Sequence, residues 1–464
     1  MALFMNQAGD DGLPGKERLF AMLAVMITTT MNVFDGSMIN IALPQMSTSL
    51  GVSASEAVWV ANGYLLAVAM SLAIFSALAT RIGFRKQFIG GLIVFTLSSV
   101  GCALSSSLSE LVVMRFIQGI GGAATLSIAP ALLRRIFPTR LLGRILGMNA
   151  LLVATCTAVA PLISGALLVT LSWPWLFMIN APLGVIAVVF SKRFLPQSAQ
   201  LDTRPLDKIG ALLSVIMLGS TILCANSFSK HVTSDNEQQA LFYAVTALVS
   251  GIAFVYRQRR TIAPLLPLEI FSNQRFSLSA ITSFISFIAQ GIIFIALPFL
   301  YEGVYGYSPL ASALLFLPWP VGIILAAPHA GRLADKKNPA MISTFGLVIF
   351  GMGSLLLIGL PQTPSVLDIA WRSLVCGIGF GLFQSPNNRE MMANVQVNYS
   401  SYASGVLAMM RTFGQCLGTA VIGIILSQSD SLASSSGNIV HLGLWFASGS
   451  VFLAILFSVS RIKK

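Results

Sequence analysis

The sequence predicts an all-α polytopic membrane protein, on the grounds of composition, run length and charge distribution. Of the 464 residues, 55% are hydrophobic and only 9% are charged, whereas about 25% are charged in ordinary soluble domains. The apolar runs are nearly continuous over about twenty residues, which is the length of a membrane-crossing helix. A transmembrane β-barrel would alternate apolar and polar residues over about ten. Helices are therefore the expected spanning elements.

Breaks of glycine, proline and charge divide the chain into fourteen predicted spans. They lie near residues 19–43, 56–79, 87–105, 109–133, 143–168, 174–195, 208–227, 239–256, 275–300, 309–330, 339–360, 366–388, 402–426 and 439–460. Four parts follow, namely an N-terminal segment (1–18), a six-helix bundle (19–195), a linker with two inserted spans (196–260) and a second six-helix bundle with a short tail (261–464).

The net charge of +12 comes from basic residues whose positions in alternate loops indicate membrane topology, so we expect no nucleic-acid partner. Alternate loops and both termini contain 24 of the 28 Lys and Arg residues, and the opposite loops contain only Lys230. Basic loops stay in the cytoplasm. The sequence therefore predicts that both termini are cytoplasmic. No cleavable leader is expected before the first apolar run.

An internal repeat is predicted by motifs that recur at nearly one offset. "SALATR" from Ser76 matches "GRLADK" from Gly331 at an offset of 255 residues, which also aligns Asp35 with Gln290. Arg115 and the glycines after it match Arg372 at an offset of 257. Such repeats are typical of transporters built from two related halves.

Charged side chains inside the predicted spans are the main candidates for function, because a charge in the hydrocarbon region must be paired or hydrated. They are Asp35, Arg115, Arg372 and Arg411. Asp35 and Arg115 fall at similar depth in the outer half, so we expect them to pair if their spans are neighbours. The carboxyl of Asp35 is then a candidate proton carrier, whose protonation would change as Arg115 moves. A purely structural salt bridge is the alternative.

Polar or soft side chains near these charges are the candidates for a substrate cavity. They are Met31, Asn32, Met38, Asn62, Gln290, Gln384, Asn387 and Arg411. For the two methionines, packing in the core or against lipid is the competing interpretation. Arg411 could bind an anionic group or balance a carboxylate, or instead donate to backbone carbonyls. Gln384 and Asn387 flank Pro386, where a broken helix would expose polar groups.

Neither a cofactor nor a metal is expected. The five cysteines lie in apolar runs without a CxxC pair, and the three histidines are scattered. The glycines after Arg115, among them Gly119 and Gly122, lie inside an apolar helix. They are therefore expected to serve helix packing rather than phosphate binding.

Four motifs together resemble the fourteen-span drug:proton antiporters of the major facilitator superfamily, and the resemblance covers nearly the whole chain. The motifs are "FDGSMINIALP", "LVVMRFIQGIGGA", "WPWLFMINAPLG" and "ASGVLAMMRTFGQCLG". The resemblance implies a major facilitator fold with two extra helices between the bundles. It also implies proton coupling at Asp35 and Arg115, and a proton gradient as the energy source.

Two further motifs match that family only in part. The resemblance assigns the conformational gate to Arg81, Gly83, Arg85 and Lys86 in the first half and to Gly331 and Asp335 in the second. Ser76 and Thr80 stand where the family has Gly and Asp. The family's GPxxGG motif in span five is reduced here to Ala160, Pro161, Ser164 and Gly165, so the small side chains and the helix kink are kept.

The sequence thus predicts a non-enzymatic, proton-coupled multidrug antiporter that exports amphiphilic small molecules by alternating access. We expect a monomer in the lipid bilayer of a bacterial cytoplasmic (inner) membrane. One alternative is a transporter of a single defined metabolite with the same fold. Another, from a different class, is a membrane sensor or scaffold that transports nothing.

Overall fold

The computed structural model describes residues 12–138, 142–197, 205–227, 234–261, 264–266, 268–334, 337–361, 363–395, 400–427 and 436–462, and all regular structure in these ranges is helical. The first half contains α1 (Gly15–Leu50), α2 (Ala54–Ile82), α3 (Phe84–Leu104), α4 (Leu108–Leu126), α5 (Ala129–Ile136), α6 (Leu142–Thr170), α7 (Pro174–Met178) and α8 (Asn180–Phe194). Two helices follow, α9 (Lys208–Ser227) and α10 (Ser234–Arg260). The second half contains α11 (Gln274–Pro298), α12 (Pro309–Phe316), α13 (Pro318–Ala334), α14 (Pro339–Ile358), α15 (Val366–Ala393), α16 (Ser400–Ser427) and α17 (Ser436–Ser460).

Thirteen segments of the described chain are long and apolar enough to cross a membrane. The remaining predicted span, the fifth, falls in α6, whose apolar part Thr155–Thr170 is shorter. The sequence predicts that each span is one continuous helix. In the structure, three spans are each built from two helices, namely α4 with α5, α7 with α8, and α12 with α13. Proline stands in the first turn of α5 and α8 and at the first residue of α13, where its missing N–H breaks the preceding hydrogen-bond ladder.

Small residues set the helix packing inside each half. In the first half, a Cβ added at Gly119 would lie 2.6 Å from the carbonyl oxygen of Tyr64 in α2. In the second half, a Cβ at Gly418 would lie 2.3 Å from the carbonyl oxygen of Ile288 in α11. Backbones approach this closely only where a side chain is absent, as expected for glycines at membrane helix contacts.

The two halves meet along α2 with α16 and along α6 with α12. Asn62 of α2 accepts a hydrogen bond from the Thr419 hydroxyl of α16. On the other side, a Cβ added at Gly165 would lie 2.8 Å from the Cβ of Ala313. Both contacts lie toward the face with the α1–α2 turn, which the charge distribution predicts to be the outer face; we call it the predicted outer face.

The inserted helices α9 and α10 pack against each other, and α9 also contacts α2 and α16. Ile222 of α9 is buried against Leu66 of α2 and Cys416 of α16. Helix α9 therefore lies across the seam between the two halves rather than beside one of them.

Candidate functional site

The predicted partners Asp35 and Arg115 are in direct contact. Asp35 lies on α1 and Arg115 on α4, and the Arg115 guanidinium donates to the Asp35 carboxylate as an ion pair. Each side chain is only 1% exposed. The sequence predicted this pairing on condition that the two spans are neighbours, and the structure brings the two groups together.

A hydrogen-bond network surrounds the pair, and we call it the Asp35 network (Asp35, Ser99, Arg115, Gln118 and Asn180). Gln118 Nε2 donates to Asp35 Oδ1 at 2.8 Å and to the Ser99 hydroxyl at 2.7 Å. The Oε1 atom of Gln118 accepts from Arg115 at 2.8 Å. Asn180 Nδ2 donates to Asp35 Oδ1 at 3.2 Å. The network joins α1, α3, α4 and α8, so both carboxylate oxygens of Asp35 have donors from other helices.

The rest of the Arg115 guanidinium is also held. Its Nε donates to the carbonyl oxygen of Val60 at 2.9 Å. Its Cζ lies 4.4 Å from the ring centroid of Tyr64 and 5.6 Å from that of Phe177. These contacts replace water around a buried cation.

The chemical consequence is a strong coupling between charge and helix position. Breaking a buried ion pair by removing one partner costs about 3–5 kcal/mol, because the other charge is left uncompensated. Protonation of Asp35 would remove its negative charge and leave Arg115 without an anion. A proton at this carboxyl can therefore bias the arrangement of the four joined helices.

Sequence reasoning missed three members of the network. Gln118 stands three residues after Arg115 on the same helix face, a spacing that could have identified it. Asn180 and Ser99 give no comparable signal, because their proximity to Asp35 arises only from the packing of α3 and α8 against the other helices.

The three cavity candidates on α1 are packed inside the protein. Met31 and Met38 are 1% and 2% exposed and belong to hydrophobic clusters, in line with the packing interpretation. Asn32 donates to the Thr28 carbonyl at 2.8 Å and to the Thr125 hydroxyl at 3.3 Å. Its amide is therefore satisfied within the first half.

Asn62, another cavity candidate, lies at the seam between the halves. Its Oδ1 accepts from Thr419 at 2.9 Å and from the Cys416 thiol at 2.8 Å. The side chain is 3% exposed. In this conformation Asn62 connects α2 to α16.

Arg411 and Gln290 mark a second polar region, on α16 and α11. The Arg411 guanidinium carbon lies 5.9 Å from the ring centroid of Phe287. One turn along α16, Gln415 donates to Gln290 Oε1 at 2.9 Å. Gln384 of α15 is half-buried. Arg411 is also only partly buried, and within the described chain it has no hydrogen bond or ion pair.

Asn387 belongs to a different cluster, at the predicted inner end of the second half. We call it the Arg461 network (Ser279, Ser343, Asn387, Glu390 and Arg461). Arg461 donates to Asn387 at 2.6 Å, to Ser279 at 2.7 Å and to Ser343 at 2.6 Å. Its guanidinium lies 3.4 Å from Glu390. The sequence placed Arg461 in the cytoplasmic tail, but only 1% of it is exposed, because four helices enclose it. The predicted break at Pro386 is absent, since α15 continues through it.

Arg372, the predicted counterpart of Arg115, is paired within its own helix. Its Nε donates to Asp368 Oδ1 at 2.9 Å, one turn earlier in α15. Asp368 is in the first turn of α15. The pair is therefore near a helix end, and it is 15–23% exposed.

The predicted gate residues of the first half surround the turn between α2 and α3. Gly83 forms this turn with φ 93°, a value that favours glycine. Arg81 Nη2 donates to the Pro205 carbonyl at 3.3 Å, and Arg85 donates to a backbone carbonyl in α8. Lys86 is exposed.

The remaining gate and packing candidates lie at close helix contacts. A Cβ at Gly122 would lie 2.8 Å from Asn32 Oδ1, and one at Gly331 would lie 3.1 Å from Ser385 Oγ. Pro161 is buried inside α6, four residues before Gly165. Asp335 lies outside the described residues.

Comparison with known proteins gives full-length relatives among bacterial transporters. The chain is 38% identical over 461 residues to the uncharacterized transporter YebQ of Escherichia coli (strain K12), covering 99% of this chain and 98% of YebQ. It is 26% identical to the riboflavin transporter RibZ of Clostridioides difficile (strain 630), covering 97% and 98%. It is 27% identical to the multidrug resistance protein Stp of Mycobacterium tuberculosis (strain CDC 1551 / Oshkosh), covering 89% and 76%.

Solved structures and a family model agree on the fold. The crystal structure of a D-xylose-proton symporter superposes with a TM-score of 0.69 at 14% identity, covering 95% of this chain and 97% of the symporter. The model of the Major Facilitator Superfamily matches residues 25–419. The chain therefore belongs to the Major Facilitator Superfamily of membrane transporters.

Proposed function

We propose that this transporter is a proton-coupled exporter of amphiphilic small molecules in the bacterial inner membrane. The observation behind the proposal is the Asp35 network, because a buried carboxylate held by an arginine is a group whose protonation changes the helix packing around it. Asp35 and Arg115 are the coupling residues, and Gln118, Ser99 and Asn180 hold the carboxyl in place.

In the proposed cycle, a proton from outside neutralises Asp35 and frees Arg115, which favours one arrangement of the two halves. Release of the proton toward the cytoplasm restores the ion pair and favours the other arrangement. Substrate moves in the opposite direction through the space between the halves.

The contacts between the halves support loading from the cytoplasm. Those at Asn62 with Thr419 and at Gly165 with Ala313 both lie toward the predicted outer face. With both termini cytoplasmic, as the charge distribution predicts, this conformation is closed to the outside and suited to accepting substrate from the inside.

The relatives support two substrate ranges. Stp is described as a multidrug resistance protein, which favours a broad range for this chain. RibZ is described as a riboflavin transporter, and its similarity extends over 97% of this chain, which supports transport of one defined metabolite as the second candidate.

The test is transport in proteoliposomes with an imposed pH gradient, using ethidium, tetraphenylphosphonium, naphthoic acid and riboflavin as probes. We expect Asp35→Asn to lose gradient-driven transport while the protein stays folded. Asp368→Asn is the matched control, because it removes the acid of an intrahelical pair, and it should keep transport.

Each other result has a definite meaning. Gradient-driven transport by Asp35→Asn at the wild-type rate would refute proton coupling through Asp35. Transport of one probe alone would favour the single-metabolite candidate. If the wild type moves no probe in proteoliposomes, and Asp35→Asn has no effect on probe flux in cells, a sensor or scaffold becomes the better explanation.

A further inference from the structure

Of the three arginines that the sequence places inside the spans, Arg411 has no acid paired with it among the described residues. Asp35 pairs with Arg115, Asp368 with Arg372 and Glu390 with Arg461. Within the described chain, no acid pairs with Arg411, and no residue accepts a hydrogen bond from its guanidinium. Because an unpaired charge at membrane depth is costly, its retention calls for another anion or for water.

Glu302, the acid that follows α11, is too far from Phe287 and Arg411 to act as the anion that balances Arg411. Glu302 follows α11 in a continuous helical segment, fifteen residues after Phe287, the neighbour of Arg411. At 1.5 Å per residue the two lie roughly 22 Å apart along the helix. Glu302 is therefore at the predicted outer end, whereas Arg411 is about twelve residues into α16.

The direction in which Arg411 extends follows from the contacts of α16. Gly414 and Gly418 pack on α11, and Cys416 and Thr419 contact Asn62 of α2. Successive residues turn by about 100° in an α-helix. Arg411 and Gln415 thus lie between those two faces, toward the space between the two halves of the protein.

The surroundings of Arg411 combine aromatic and amide groups. Phe287 lies beneath the guanidinium, and its ring centroid is 5.5 Å from that of Phe380 in α15. Gln290 and Gln415 form an amide pair one turn along from Phe287 and Arg411. Phe287 and Phe380 are each 1% exposed, so their rings form an apolar backing for the guanidinium. The partly buried guanidinium offers a planar fork of donors beside neutral amide groups, which fits a carboxylate.

We propose that the transported substrate is an amphiphilic organic anion, whose acid group binds Arg411 and whose apolar part lies in the space between the two halves. This inference rests on the proposed export function for the direction of transport, but the binding step itself needs no proton gradient. It also changes the expected substrate class, because cationic compounds would be repelled by Arg411.

The test is equilibrium binding to the full chain in nanodiscs at neutral pH without a gradient. The probes are two matched sets, namely naphthoic acid, naphthamide and naphthylmethylamine, and the corresponding biphenyl acid, amide and amine. We expect the wild type to bind at least one acid about tenfold or more tightly than its amide, since hydrogen bonds to a charged group are worth that much.

Variants identify Arg411 as the source of that preference. Arg411→Gln should bring acid and amide to equal affinity without weakening amide binding, and Arg411→Lys should keep part of the preference. Arg372→Gln is the matched control and should keep all of it. The binding assay uses no gradient, so loss of proton coupling in the transport assay would leave this result intact.

Four outcomes would overturn the proposal. They are equal affinity for acid and amide in the wild type, an unchanged preference in Arg411→Gln, tighter binding of the amines, and no binding of either acid at millimolar concentration.

Discussion

The two halves of this transporter each bury an ion pair, but at different depths and with different neighbours. In the first half, Asp35 and Arg115 meet within the bundle, toward the predicted outer face. In the second half, Glu390 and Arg461 meet at the predicted inner end, where Arg461 also donates to Ser279, Asn387 and Ser343. The predicted repeat therefore does not extend to the positions of these buried ion pairs.

This difference suggests a division of roles. The acid of the Asp35 network accepts all its hydrogen bonds from side chains of other helices, so its protonation alters how those helices are held. In the Arg461 network the arginine is central and its partners are mostly neutral hydroxyl and amide groups. We therefore expect the Asp35 network to couple protons and the Arg461 network to stabilise the second half.

The largest expected difference between the networks is in transport. Asp35→Asn should reduce gradient-driven transport to the level of empty liposomes, whereas Glu390→Gln should keep most of the wild-type rate. The measurement is probe flux in proteoliposomes under a pH gradient, with folding checked by thermal unfolding. Equal loss in both variants would contradict the division of roles.

The next largest effect is on stability. Arg461→Ala should lower the free energy of unfolding by about 3–5 kcal/mol, because Glu390 and four neutral hydrogen-bond acceptors lose their buried cation. Thermal unfolding in detergent measures this, and Arg260→Ala is the control because Arg260 is exposed. Unchanged unfolding of Arg461→Ala would show that the Arg461 network is not structural.

The smallest effects concern one serine in each network. Ser343→Ala removes a hydrogen-bond acceptor of Arg461 and should lower stability by about 1 kcal/mol without changing transport. Ser99→Ala removes a hydroxyl that Gln118 and Asn180 share, and should slow transport with a smaller effect on stability. Transport and thermal unfolding are measured for both variants. Slower transport in Ser343→Ala and a larger loss of stability in Ser99→Ala would contradict the roles assigned to the two networks.

Much of the architecture could be predicted from the sequence because bilayer thickness imposes a strong pattern on it. The all-helical membrane fold is confirmed, and the Asp35–Arg115 contact follows the conditional prediction. The breaks before α5 and α13 were not predicted, since hydropathy does not register a lost backbone hydrogen bond.

The site was less predictable wherever it depends on packing between distant segments. Asn180 reaches Asp35 from 145 residues away, and only the positions of α1 and α8 bring them together. Charge counting assigns Arg461 to a basic tail because it carries no information on burial. The sequence predicts Asn62 as a cavity residue, whereas its bonds to Cys416 and Thr419 depend on the meeting of the two halves.

The most direct test of proton coupling is to record proton movement itself. Proteoliposomes containing a pH-sensitive dye are given a gradient of the probe that the wild type moves fastest, with no initial pH difference. We predict that the wild type moves protons opposite to the probe and that Asp35→Asn does not, while Glu390→Gln behaves as the wild type. Proton movement by Asp35→Asn at the wild-type rate would contradict the role of the Asp35 network.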